Sequence, residues 1–270
     1  MLRINGESGE TISAADRGLQ YGDGVFRTLP IRQGKVQQWA RHYRKLAHDC
    51  ARIGIACPDE PLLKQDLLAL IPDQADYAAK IIITRGISLR GYAPSPGANP
   101  TRIVSLSPMP RYPKEWFHDG VKLHACTLRL GHQPHLAGIK HLNRLENVLA
   151  AAEWSDSSVA EGLLCDLDGH VIEGTRTNLF FVQAGKLHTP DLSRCGVAGT
   201  QRDRVMEWAA RNGIPCLTGH YTLEDVFDAE EVFLVNSLIG LWPVRELSGV
   251  TWKTGRMTAD IQKELIDAFN

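Results

Sequence analysis

Long apolar runs are missing from this 270-residue chain, and so is a charge balance of one sign. No stretch has the length of a transmembrane helix. The opening Met1-Leu2-Arg3-Ile4-Asn5-Gly6 contains no apolar segment of the kind that leads a secreted chain. A net charge of −1, with signs mixed along the chain, gives no basic stripe to hold nucleic acid or an anionic membrane surface. The six cysteines (Cys50, Cys57, Cys126, Cys165, Cys195 and Cys216) include no C-x-x-C pair. A chain of this length needs no staples, so free thiols in a cytoplasmic protein are expected. His132 and His135 have metal-like spacing, but Pro134 lies between them and no cysteine or carboxylate cluster follows in sequence, so loop histidines and no metal are expected. Internal repeats and low-complexity tracts are also lacking.

What is present is ordinary globular composition, 43% hydrophobic and 23% charged, enough for one large core or two medium ones. Residues 16–24 form a glycine-punctuated loop. Strands are expected over 25–31, 80–84, 102–106, 121–128, 162–167, 170–173, 178–182, 186–189 and 231–236. Helices are expected over 39–53, where Trp39, Tyr43, Leu46, Cys50 and Ile53 share a face, and over 61–71, 201–212 and 257–269. A further helix follows Lys140 with an apolar stripe of Leu142, Leu145, Leu149 and Ala152. Asp168-Gly169 signals a type I′ hairpin. Prolines 108, 110 and 113 punctuate the middle. The division read from this pattern is a smaller α/β domain over 1–112, a linker over 113–120 and a second domain over 121–270. Hairpins outnumber βαβ alternations, which favours mixed α/β architecture with largely antiparallel sheet over a dinucleotide-binding fold.

Three features can carry chemistry. Lys140, in Gly138-Ile139-Lys140-His141-Leu142-Asn143-Arg144, stands among apolar residues just ahead of the expected helix. Desolvation and the positive end of a helix dipole both favour its neutral, nucleophilic amine. Taken alone, such a lysine is more often a solvated surface group. Glu173 ends an apolar strand, where a carboxylate can keep a pyridine nitrogen protonated or simply face solvent. Gly196-Val197-Ala198-Gly199-Thr200-Gln201 opens a helix whose backbone amides suit a phosphate, the alternative being an ordinary helix start capped by Thr200.

Lysine, glutamate and phosphate loop in that order, together with Asp16-Arg17-Gly18, Tyr21-Gly22-Asp23-Gly24-Val25-Phe26, His42 with Leu46, Thr84-Arg85-Gly86 and Asn178-Leu179-Phe180, resemble the pyridoxal-phosphate enzymes of fold type IV. That group includes branched-chain and D-amino-acid aminotransferases and 4-amino-4-deoxychorismate lyases. The likeness runs nearly end to end. Arg90-Gly91-Tyr92 and the run from Pro134 to Leu145 resemble the lyase branch.

The resemblance implies a two-domain enzyme with pyridoxal 5′-phosphate between the domains, a small-molecule substrate (4-amino-4-deoxychorismate) and a homodimer. It implies Lys140 as the Schiff-base lysine and proton shuttle, with Glu173 on the pyridinium nitrogen. It places Thr200 and Gln201 amides on the phosphate, aided by the turn at Asn236, Ser237 and Leu238. The family's arginine three residues after the helix histidine is here Lys45, beside Arg44, and a lysine offers a point charge instead of a bidentate fork. Phe26 stands where aminotransferases often have tyrosine. Together with Thr28, Arg90 and Tyr92 it is expected near substrate, Arg90 on a carboxylate or else solvated. An aminotransferase on the same cofactor, and a non-catalytic binding protein, remain the alternatives.

Overall fold

The computed structural model describes residues 1–88, 90–95 and 97–267. The chain divides into two compact units. Unit 1 is Met1–Pro110 with Ile139–Asn143, and unit 2 is Arg111–Gly138 with Arg144–Asn270.

Unit 1 contains β1 (Leu2–Ile4), β2 (Glu7–Ser8), α1 (Arg17–Tyr21), β3 (Gly24–Arg32), β4 (Lys35–Val36), α2 (Trp39–Arg52), α3 (Glu60–Leu68), β5 (Tyr77–Thr84) and β6 (Thr101–Pro108). The strands form one antiparallel sheet in the order β2-β1-β6-β5-β3-β4. Strand β3 turns Val25, Leu29 and Ile31 into a core that also takes Leu46 and Cys50 of α2 and Leu63 and Leu67 of α3. The period of two places Phe26 and Thr28 on the opposite face. The expected loop over 16–24 contains a short helix, because the Asp16 carboxylate accepts from the Gly18 amide at 2.8 Å and starts a turn, which Gly22 ends at φ +65°.

Lys140 does not open a helix. Its segment lies extended along β3: Phe26 N–H donates to Lys140 O at 2.9 Å, Leu142 N–H donates to Gly24 O at 2.9 Å, and His141 bridges Val25. The dipole argument for a neutral amine therefore does not apply. Gly24 makes the close pairing possible. A Cβ there would stand 2.6 Å from Ile83 O and 2.7 Å from Leu142 Cδ1. Gly24→Ala is expected to destabilise the protein by about 3 kcal/mol, since neither strand can yield without breaking ladder bonds. A urea-unfolding midpoint unchanged from wild type would contradict this.

Unit 2 contains α4 (Glu115–His118), β7 (Val121–Leu130), α5 (Leu145–Ala151), β8 (Val159–Asp166), β9 (Val171–Gly174), β10 (Asn178–Gln183), β11 (Lys186–Pro190), α6 (Thr200–Arg211), β12 (Cys216–Gly219), α7 (Leu223–Phe227), β13 (Glu231–Asn236), β14 (Gly240–Leu247), β15 (Val250–Thr251) and α8 (Arg256–Asp267). Its sheet runs β12-β11-β10-β13-β14-β7-β8-β9. Strand β9 also pairs with β10, so six strands close on themselves. One face of that ring supplies Leu123, Leu163, Val171, Phe181, Leu234 and Trp242 to a single core. The other face of β10 and β13, with Phe180 and Phe233, packs on Val205 and Trp208 of α6 and Ile261 and Leu265 of α8. The architecture is mixed α/β with mainly antiparallel pairing; among the strands of the described residues only β7–β8, β7–β14 and β11–β12 pair in parallel.

Three expectations need correction. Residues 113–120 contain α4, and Trp116 and Phe117 pack edge-on against the buried Trp242 ring. The stripe after Lys140 is not buried: α5 starts only at Leu145, and Leu145 (69% exposed), Val148 and Leu149 face outward. At Asp168-Gly169 only Gly169 has positive φ, so the turn is not type I′; that geometry occurs at Ala184-Gly185 instead (φ 50° and 70°). The expected end of the last helix, at 268–269, lies outside the described residues.

Candidate active site

In unit 2 the predicted residues gather at one end of the sheet. Register places Glu173 of β9 opposite Asn178 of β10, and Asn178 opposite Val235 of β13, next to Asn236. Glu173 is buried, and its Oε2 accepts from the Val197 amide at 2.9 Å and from Asn178 Nδ2 at 3.5 Å. Asn178 fastens the glycine loop: Nδ2 donates to Val197 O at 2.7 Å, and Oδ1 accepts from the Gly199 amide at 3.1 Å. A Cβ on Gly199 would lie 2.2 Å from that same Oδ1, so only glycine fits.

Helix α6 begins at Thr200, with Gly199 as its N-cap and no side chain capping it. Thr200 is thus the first helical residue, one position on from a cap. The first-turn amides of a helix have no partner within it. Here the macrodipole and those amides point out of a helix whose cap offers no acceptor of its own, as an anion site requires. The Gln201 side chain accepts from Arg204 at 2.9 Å. Asn236 Oδ1 accepts from the Leu238 and Ile239 amides at 2.9 and 3.0 Å, which builds the turn around Ser237. Glu161, which sequence reasoning missed, is fully buried below the turn after Glu173 and accepts from the Gly162 and Thr175 amides at 3.0 and 3.1 Å. Burial pushes its carboxyl up.

In unit 1 the Lys140 Nζ lies 4.6 Å from the centroid of the Phe26 ring. Lys80 Nζ lies 4.9 Å from the same centroid. Thr28 pairs in register with Lys80, so these four residues share one patch of the sheet. Lys80 had no signal in the sequence beyond its place in a β-branched run. On α2, Arg44 is exposed, whereas Lys45 is half-buried and its carbonyl accepts from Arg27 Nη2 at 3.4 Å. Arg90 and Tyr92 are exposed on the loop after β5. That loop is tied down by the buried Arg17, which donates to Ser88 Oγ (3.1 Å), Gly91 O (2.9 Å) and Tyr92 O (2.6 Å). Arg17 and Arg85 both bind Asp23, at 2.7 Å each. Burial raises the Asp23 carboxyl, but the two guanidiniums outweigh it and hold it below the usual carboxylate range. Within the sequence markers over 16–26 and 84–86, Arg17 therefore fastens this loop, held in turn by Asp23 with Arg85.

His42, on α2, is 3% exposed, and its pKa is pushed down to about 3 by burial, with Arg27 and Lys45 adding repulsion. Its folded value lies below the unfolded value near 6.5, so only the unfolded chain takes up a proton as pH falls between the two. Stability is expected to drop by about 2 kcal/mol from pH 8 to pH 5 through this residue. His42→Leu should flatten that part of the profile. Urea midpoints at the two pH values that shift equally in both proteins would refute it.

No carboxylate cluster was legible near His132 in the sequence, but the fold brings two carboxylates to it. Asp166 and Asp168, distant in sequence, meet His132. His132 Nε2 lies 2.9 Å from Asp166, and Arg194 bridges Asp168 (2.6 Å) and His132 Nδ1 (2.9 Å), supplying the cluster's positive charge itself.

Two α/β units with mainly antiparallel sheets, one carrying a lysine on an aromatic platform, the other a buried glutamate and a glycine-opened helix, define a fold type IV pyridoxal-phosphate enzyme. The chain belongs to the class IV aminotransferase family, whose model matches residues 24–247 and whose members depend on that cofactor. An aminodeoxychorismate lyase of Vibrio harveyi is 36% identical over 270 residues, covering 98% of this chain and 99% of its own length. The solved 4-amino-4-deoxychorismate lyase of Pseudomonas aeruginosa matches at TM-score 0.94 and 45% identity, over 99% of this chain and 98% of its own. A branched-chain amino acid aminotransferase from Escherichia coli matches at TM-score 0.84 and 21% identity, over 100% of this chain and 94% of its own, which shows the fold alone. The residues present fit the cofactor. Gly199 and the uncapped α6 suit a phosphate, and Glu173 is a buried acceptor.

Proposed function

We propose that this chain is a pyridoxal-phosphate-dependent lyase that converts 4-amino-4-deoxychorismate to 4-aminobenzoate and pyruvate. The observation that carries the choice of reaction is the end-to-end likeness to two lyases of that name, at 36% and 45% identity. Pyridoxal phosphate, when bound, supplies an electron sink for charge developing on the substrate carbon that bears the amine.

Lys140 Nζ would hold the cofactor, and the same nitrogen, when free, would take the proton from the amine-bearing ring carbon. The ring's carbon–oxygen bond to the enolpyruvyl group then breaks as the ring becomes aromatic. Lys140 returns the proton to the methylene carbon of the departing group, which leaves as pyruvate, so atoms balance without water. One acid–base group suffices because aromatisation drives the elimination. Glu173 would keep a proton on the pyridine nitrogen, and the Thr200 and Gln201 amides, next to the turn built by Asn236, Ser237 and Leu238, would bind the phosphate. Lys45 adds a positive charge for that phosphate. Phe26 and Thr28 form the floor beside Lys140, and Lys80, Arg90 and Tyr92 meet the two substrate carboxylates and the ring.

The enzyme works in the cytoplasm as a homodimer. Six free cysteines and the outward apolar face of α5 support this reading. Among the described residues no helix is long and apolar enough to cross a membrane.

The test mixes purified protein, pyridoxal phosphate and enzymatically generated 4-amino-4-deoxychorismate. 4-Aminobenzoate is followed by fluorescence and pyruvate by a coupled reductase. Equimolar products are expected. Amino-group transfer to a keto acid with no aminobenzoate would replace this reading with an aminotransferase.

A further inference from the structure

We propose that the buried pair Arg27–Asp49 is a positioning device that fixes the main chain of Lys140. The proposal rests on Lys140 being the cofactor-bearing lysine. Residue 140 is held from two sides. Its carbonyl accepts from Phe26 N–H of β3 at 2.9 Å, and its own N–H donates to Asp49 Oδ2 of α2 at 3.1 Å. In a regular antiparallel pair two facing residues exchange both main-chain bonds; here a side-chain carboxylate takes the Lys140 N–H.

Arg27 Nη2 donates to the same Oδ2 and also to Lys45 O. Arg27 is 3% exposed and Asp49 1%. Ile139, the residue before Lys140, is wholly buried in the unit 1 core. Backbone and neighbour are thus locked, and the motion left to place Nζ over Phe26 is that of the lysine side chain. A buried ion pair is a poor way to gain stability, because desolvating two charges offsets most of their attraction. Its return here is geometric: the carboxylate accepts one main-chain amide at one place, and the guanidinium keeps it charged and oriented. Neither residue had a chemical signal in the sequence. Arg27 sits at an inward position of a strand, and Asp49 one turn beyond Lys45.

The test compares two double variants in the cofactor-loaded protein. Arg27→Leu with Asp49→Leu removes both charges and the acceptor together, a replacement that commonly leaves stability unchanged or higher. Arg27→Gln with Asp49→Asn removes the charges but keeps an acceptor for the Lys140 amide. Three quantities are measured. They are the rate at which pyridoxal phosphate becomes attached to Lys140 in stripped protein (visible absorbance, verified by borohydride trapping), kcat and KM, and the affinity for pyridoxamine phosphate, which binds without the lysine.

In the leucine pair, attachment rate and kcat are expected to fall together by about 100-fold, the cost of misplacing a reacting group by an ångström. KM and pyridoxamine phosphate affinity should stay within threefold. The Gln/Asn pair should keep both rates within fivefold of wild type. Wild-type rates in the folded leucine pair would overturn the proposal, as would equal losses in both pairs. If the leucine pair does not fold, Asp49→Ala alone is read in the same way. Absence of any lysine-attached cofactor in wild type would overturn the reading of Lys140 and this inference with it. A normal wild-type spectrum beside unaffected variants would overturn this inference only.

Discussion

Lys140→Ala is expected to lower 4-aminobenzoate formation by on the order of 10⁴-fold or more, because in the proposed mechanism one nitrogen performs three tasks: holding the cofactor, taking the ring proton and returning it. The fold should survive. The bonds that seat residue 140 on β3 and α2 run through its main chain, which alanine keeps. The melting temperature without cofactor should therefore match wild type within a few degrees, and the visible absorbance of lysine-attached cofactor should vanish. A small primary amine added at high concentration is expected to recover part of the rate, since it replaces the lost proton carrier but not its placement. Residual turnover within tenfold of wild type would show that another group carries the proton. Its source would then be sought at Lys80, whose Nζ shares the Phe26 ring.

The opposing contributions of sequence and structure can be seen at this same lysine. Local sequence supports a reactive amine through a helix dipole that does not act on it, because α5 starts at Leu145. What singles out Lys140 for the proposed role is its order relative to Glu173 and Gly199, a property of the whole chain. Strand identity was legible wherever an apolar or β-branched run was bounded by turn signals: β3, β5, β10 and β13 lie on such runs. Asp168-Gly169 misleads because a two-residue turn signal also fits a longer turn in which only the glycine needs positive φ. Helix α5 misleads for a different reason. Leu145, Val148 and Leu149 have core-like spacing, yet an apolar face points outward as readily as inward until its partner is known.

The supporting residues were the least legible. Asp49, Arg27, Glu161 and Lys80 are charged side chains inside otherwise ordinary elements; Arg27 and Asp49 take their roles from partners 22 and 91 positions away, Glu161 from a turn 14 positions on, and Lys80 from strand register. Asn178 could have been found. It stands in a family marker, and its position at the first residue of a strand facing a glycine loop is the kind of place where a side-chain amide fastens two backbone segments.

Glu173→Gln carries the second-largest expected effect, a fall in kcat on the order of 10²–10³-fold with KM nearly unchanged. Glutamine has almost the shape of glutamate, so packing at this buried position is preserved. The Val197 amide, which donates to Oε2 at 2.9 Å, still needs an acceptor and fixes the orientation of the new side chain. With the glutamine oxygen turned to Val197, its NH₂ is left for the pyridine nitrogen. A donor there requires an unprotonated nitrogen, the opposite of what a carboxylate requires, so the electron sink should weaken while the amides of α6 proposed to bind phosphate keep the cofactor in place. Proton removal from the amine-bearing carbon should become the slow step. A deuterium label at that carbon should then lower kcat severalfold in the variant and less in wild type. Cofactor content by phosphate analysis should stay stoichiometric. Loss of cofactor from Glu173→Gln would assign Glu173 to binding, and a kcat within threefold of wild type would remove it from the electronic role altogether.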